Sequence, residues 1–114
     1  MSEFVASLAE HITVAPSSTV STTVLKAEGA NVVLFAFDAG EELSEHTAAM
    51  PVLLQALDGR MSVTTPTLSV TLVPGALLHL DTREPHSVLA EVPSTLMLTM
   101  LVGALRPPVS PAAD

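Results

Sequence analysis

From residue 11 onward, apolar side chains recur at every second position and most are β-branched. The runs are ITV at 12–14, VSTTVL at 20–25, NVVLFAFD at 31–38, PVLLQAL at 51–57, RMSVTT at 60–65, TLSVTLV at 67–73, ALLHL at 76–80, SVLAEV at 87–92 and TLMLTMLV at 95–102. Each reads as a short strand. Turn signals separate them: EG at 28–29, DAGEE at 38–42, DG at 58–59, TPT at 65–67, PG at 74–75 and DTREP at 81–85. Asp58-Gly59, with apolar residues on both sides, is the strongest hairpin signal. Strands with no helical segment between them predict an all-β antiparallel sandwich, jelly roll or barrel.

The period differs only at the start. Phe4, Val5, Leu8 and Ala9 fall at helical spacing with Ser2 as an N-cap, which predicts a short helix within residues 1–10. A barrel over residues 11–105 then completes one domain over 1–105, and RPPVSPAAD at 106–114 reads as a proline-rich, weakly docked tail.

Composition narrows the chemistry. The chain has no cysteine, so disulfides, thiolate metal sites and cysteine nucleophiles are excluded, and any metal must take nitrogen or oxygen ligands. Lys26, Arg60, Arg83 and Arg106 face twelve acidic residues, for a net charge of -8. No nucleic acid or anionic membrane surface is expected as a partner. No apolar run approaches the roughly 20 residues of a bilayer span. The opening MSEFVASLAE is acidic where a secretory signal would be basic, so a cytoplasmic location is expected. Hydrophobic residues make up 48% of the chain and charged ones 14%, against about 25% charged in ordinary soluble domains. Sheet faces carrying serine and threonine in place of lysine and glutamate suit packing on a second copy, so a homodimer is expected.

The histidines are His11, His46, His79 and His86. His46 closes the acidic segment GEELSEH, and His86 follows the turn TREP. On separate strands of a barrel that alternate in and out, both would project into the lumen. If residues 76–81 and 86–90 form a hairpin, parity adds His79 as a third imidazole, although Leu78 and Leu80 argue for the outer side. Met50, Met97 and Met100 are candidate lumen residues. His11 reads as a surface residue, and Glu41, Glu42 and Glu45 as a solvated rim.

Two segments carry a family resemblance. GEELSEHTAAMPVLLQALDG (40–59) resembles the first motif of the cupins, GxxxxxHxHxxxExxxxxxG, with Gly40, His46 and Gly59 in register. GALLHLDTREPHSVLA (75–90) resembles the second, GxxxxxPxGxxHxxxN, with Gly75 and His86 in register. The resemblance implies a double-stranded β-helix, a jelly-roll barrel with its pocket inside. It also implies a divalent metal site, which in metal-binding cupins takes two histidines and a glutamate from the first motif and a histidine from the second.

Carried onto this chain, only His46 and His86 match those ligands. Ala48 stands at the second histidine position and Val52 at the glutamate position; Asp81, Arg83 and Ala90 replace the proline, glycine and asparagine of the second motif. Two imidazoles leave a divalent metal short of donors. The leading expectation is a small molecule bound in the barrel interior by His46 and His86, with Ala48, Val52, Met50, Met97 and Met100 lining the pocket and at most a weakly bound Fe, Mn, Ni or Zn ion. One alternative is a metal-dependent dioxygenase or isomerase with open coordination positions. Another is a dimerisation module with a vestigial pocket.

Overall fold

A computed structural model describes residues 2–103 of the protein. The tail predicted at 106–114 lies outside the described residues. Nine strands follow one another: β1 (Thr19–Ala27), β2 (Ala30–Phe37), β3 (Glu42–His46), β4 (Val52–Asp58), β5 (Met61–Thr64), β6 (Ser69–Leu72), β7 (Leu78–Leu80), β8 (His86–Ala90) and β9 (Ser94–Met100). They build one five-stranded sheet, β1-β2-β9-β4-β7, and one four-stranded sheet, β3-β8-β5-β6. Every strand pairing is antiparallel.

The period of two translates directly into the core. Val52, Leu54 and Ala56 of β4, Leu96 and Leu98 of β9, Met61 and Val63 of β5, and Val88 and Ala90 of β8 point between the sheets and pack as one cluster with Phe37, Leu72 and Leu80. Full burial of each leucine or valine contributes about 1.5–3 kcal/mol, which fixes the register because a slip by one residue would turn the whole set outward. The intervening Leu53 and Gln55 face the other way.

Three local expectations are corrected. Asp58-Gly59 does not close a hairpin: β4 pairs with β7 and β9, while β5 pairs with β6 and β8. The dipeptide instead turns the chain from one sheet to the other. Gly59 has φ of 84°, and a Cβ there would overlap Ser94 Oγ and the Pro93 carbonyl. This corner packs on the β8–β9 corner, where the Arg60 amide donates to the buried Ser94 Oγ at 3.0 Å and that hydroxyl donates to the Val92 carbonyl at 2.7 Å.

The N-terminal segment forms only a 3-10 turn at Leu8–His11, with Ser7 rather than Ser2 at its N-cap and no side-chain capping bond. So few residues cannot offset the cost of helix nucleation. Ile12 and Val14, read as part of a strand, stay outside both sheets. They line a groove of about 270 Å³ with Ala9, Leu57, Asp58 and Thr95. Asp38, just past β2, holds the chain leading into β1: its carboxylate accepts from the Ser17 amide at 2.7 Å and the Ala39 amide at 2.8 Å.

The remaining difference is β3. Its sequence ELSEH has one apolar residue, Leu43, and its acidic exposed positions conceal a strand.

Candidate functional site: a cross-strand histidine pair

β3 meets β8 with Glu42 opposite Leu89 and Leu43 opposite Val88, and then the register shifts so that His46 stands opposite His86. Three steps along β3 match two along β8. The extra residue is a β-bulge, and it has a chemical consequence: strict alternation from Leu43 would send His46 to the outer face, whereas the bulge returns it to the side of Val88 and His86. The upper end of this strand pair is pinned by two main-chain bonds, Gly40 N to Ala90 O at 2.8 Å and Ala90 N to Glu41 O at 2.9 Å.

The two imidazoles stand with ring centroids 4.2 Å apart and planes inclined by 57°. His86 is 2% exposed, and His46 is exposed. The pair therefore spans from interior to solvent.

Each ring is held in the same way. His46 Nδ1 lies 2.8 Å from the Ser44 carbonyl and His86 Nδ1 lies 2.9 Å from the Glu84 carbonyl. A carbonyl oxygen only accepts, so each Nδ1 carries the proton and donates. In the neutral rings each Nε2 then keeps its lone pair. Among the described residues neither Nε2 has a hydrogen-bond partner, and no buried side-chain nitrogen or oxygen lacks one. His86 Nε2 therefore keeps some accessible surface although the residue is 2% exposed.

The turn before His86 is tied to the first motif. Arg83 donates its amide to the Ala48 carbonyl at 2.8 Å, and Glu84 donates its amide to Asp81 O at 3.1 Å while its carboxylate accepts from the Asp81 amide at 3.0 Å. Arg83 adopts φ of 56°, the left-handed conformation that suits glycine.

The other candidates separate. Ala48 is half-buried against the core cluster and Val52 is buried within it, so both positions are interior but aliphatic. Met100 sits beside Val52 and packs on the same cluster. Met97 does not join it: its neighbours across the strands are Leu34 and Gln55, on the outer face of the five-stranded sheet. Positions 97 and 100 have opposite parity, which rules out a shared lumen. Met50 is half-buried in the β3–β4 connection.

His79 is also displaced from the pair. The supposed hairpin does not form, because β7 belongs to the five-stranded sheet and β8 to the other. His79 lies opposite Leu53 with half its side chain exposed, 4.0 Å from the Asp81 carboxylate. His11 is exposed at the end of the 3-10 turn. Glu42 and Glu45 are exposed on the bulged strand.

Among the described residues, no three histidine, aspartate or glutamate side chains gather closely enough to hold a metal ion. A tightly held divalent metal takes three or four protein donors, and the pair supplies two. The residues present do not fit a resident metal of that kind.

No protein-family model matches the sequence, and comparison with curated proteins gives no match. Solved structures do match. A cupin superfamily protein from Desulfitobacterium hafniense superposes with a TM-score of 0.76 at 22% identity, over 82% of this chain and 86% of that one. A conserved protein of unknown function from Streptococcus pyogenes gives 0.76 at 17% identity, over 89% of both chains. Salicylate 1,2-dioxygenase from Pseudoaminobacter salicylatoxidans gives 0.68 at 18% identity, over 78% of this chain but 26% of the enzyme. The protein has the cupin fold.

Proposed function

We propose that this protein binds a small hydroxyl- or amine-bearing molecule at the barrel mouth through Nε2 of His46 and of His86, acting in the cytoplasm as a sensor, carrier or accessory subunit. One observation carries the reading. Both Nδ1 protons are committed to backbone carbonyls, so the neutral pair offers two adjacent acceptors and no donor. A ligand with two N–H or O–H groups complements that pattern, and the aliphatic wall at Ala48 and Val52 favours its carbon skeleton.

The test is the melting temperature of untagged protein against sugars, polyols, amino acids and hydroxy acids. A ligand present at 100 times its Kd stabilises by about 2.7 kcal/mol. The protection is expected to vanish in His46→Ala, whose exposed side chain is dispensable for packing. A compound that protects wild type, His46→Ala and His86→Ala equally binds elsewhere and defeats the proposal.

The second reading is a weakly bound divalent metal supporting dioxygenase or isomerase chemistry. The anchored Nδ1 atoms favour it, because the same hydrogen bond orients metal-ligating imidazoles. It predicts that Fe(II), Mn(II), Ni(II) or Zn(II) raises the melting temperature in a His46-dependent way. A metal that raises the melting temperature of wild type but not of His46→Ala, where no organic compound does so, would replace the first reading with this one.

A further inference from the structure

The two segments that carry the histidine pair are acidic. Residues 40–46 hold Glu41, Glu42 and Glu45, and residues 81–86 hold Asp81 and Glu84, against the single cation Arg83. The pairing of β3 with β8 and the bond from the Arg83 amide to the Ala48 carbonyl bring these segments together. Among the described residues the one ion pair made by a lysine or arginine joins Arg60 to Glu91, so no basic side chain neutralises any of the five carboxylates. Acidic residues alone do not make a site. These flank a side chain that lacks a partner: His86 is 2% exposed, its Nδ1 donates to the Glu84 carbonyl, and its Nε2 is unpartnered among the described residues yet keeps some accessible surface. The His46 ring, 4.2 Å away between centroids, presents a second lone pair of the same kind.

Resting on the reading that the pair accepts two hydrogen bonds, we propose that its ligand is an organic cation, an alkylguanidinium or alkylammonium whose charged head donates N–H to both Nε2 atoms. Two arguments select a cation over a polyol or a hydroxy acid. A hydrogen bond from a charged donor is about twice as strong as one from a neutral hydroxyl. Uncompensated carboxylates around a site concentrate cations there and repel the carboxylate of a hydroxy acid, and the net charge of -8 on the whole chain adds to that field. Within the class a guanidinium suits the pair best, because its N–H groups form a rigid planar fork and it is more weakly hydrated than an ammonium, so it loses less on leaving water. Its alkyl chain takes the place against Ala48 and Val52.

Three probes of similar size separate charge from hydrogen bonding when titrated by calorimetry into the untagged full chain at low ionic strength. Butylguanidinium has both, butylurea keeps the N–H fork without the charge, and butyltrimethylammonium keeps the charge without an N–H. Butylguanidinium is expected to bind at least about tenfold more tightly than either of the others, and to lose at least that factor in His46→Ala. Glu42→Gln/Glu45→Gln is expected to weaken it about threefold and to flatten its dependence on salt. Glu3→Gln/Glu10→Gln removes the same charge from the N-terminal segment and should change neither. Butylurea that binds as tightly as butylguanidinium, in a His46-dependent way, overturns the choice of a cation and leaves the two-acceptor reading standing. So does a silent butylguanidinium titration where a polyol protects the protein. Butyltrimethylammonium that matches butylguanidinium shows binding to the acidic rim without the pair, and overturns the proposal. Butylguanidinium that binds wild type and His46→Ala equally sits elsewhere and overturns both the cation and the two-acceptor reading.

Discussion

Arg83 donates its amide to the carbonyl of Ala48 at 2.8 Å, which joins the two segments that carry His86 and His46. Both residues stand where the cupin pattern has something else, glycine at 83 and histidine at 48. The turn adopts a left-handed backbone with arginine in place of glycine, and the Ala48 carbonyl makes its contact from a residue with no imidazole. The main-chain bond thus ties the segment that carries His46 to the one that carries His86 without help from either side chain.

Arg83 is consequently a strained position whose side chain is exposed. Left-handed backbone costs a non-glycine residue about 1–2 kcal/mol, and glycine returns about 0.4–1 kcal/mol of that through its freer unfolded chain. Arg83→Gly is expected to leave stability unchanged or raise it by up to about 1 kcal/mol in urea denaturation. A loss larger than about 1 kcal/mol would show that the guanidinium makes a contact of its own.

Gly59 is the opposite case. It too is left-handed, but a Cβ there meets Ser94 Oγ and the Pro93 carbonyl where two chain crossings touch. Strain and overlap together predict a loss of about 2–4 kcal/mol for Gly59→Ala. The same substitution at Gly29, with φ of 81° and open space around it, isolates the conformational part at about 1 kcal/mol. Equal losses at the two sites would mean that the corner opens to accommodate the methyl.

Where burial is on one side of a strand, the chain announces itself: β4, β5, β8 and β9 alternate between core and exterior as their sequences do. β3 does not, because Glu42, Ser44 and Glu45 are exposed, Leu43 is its one apolar residue and His46 reaches the inner side only through the bulge. The bulge that re-aims His46 leaves no periodic trace, so the pairing of His46 with His86 was legible from motif spacing alone. Neither the Nδ1 anchors nor the buried-to-exposed gradient across the pair was legible, since the first depends on the local backbone path at residues 44–46 and 84–86 and the second on what packs over each ring. The Asp58-Gly59 signal misled because turn chemistry specifies a tight reversal but not whether the next strand pairs with the last one.

Asp38 gives a pH prediction with a defined sign. The Ser17 amide, and after it the Ala39 amide, hold its carboxyl below the usual carboxylate range. The folded state then binds fewer protons than the unfolded one as pH drops past the ordinary value of about 3.9, so its contribution is present above that pH and is lost as pH falls through the folded pKa. Asp38→Asn removes the charge. The urea midpoint of the variant should lie below that of wild type at pH 6, and the gap should narrow by pH 3. A gap that stays constant or widens on acidification would assign the effect to the shape of the loop rather than to its charge.

The missing donors can be put back. Ala48→His/Val52→Glu restores the two first-motif positions that are aliphatic here, and both already face the interior. Without metal, the glutamate replaces a valine that is 1% exposed, and burying an unpaired carboxyl predicts a loss of about 3–5 kcal/mol, with the group protonating to limit it. A divalent metal reverses the sign locally, because it gives the carboxylate and three imidazoles a shared charge partner and binds only the folded chain. The double variant should melt well below wild type with EDTA and recover most of that difference with Mn(II) or Ni(II), in a manner abolished by adding His86→Ala. If metal fails to rescue a variant that still folds, then positions 48 and 52 do not converge on the His46–His86 pair, and the aliphatic wall ascribed to the binding site lies elsewhere in the barrel.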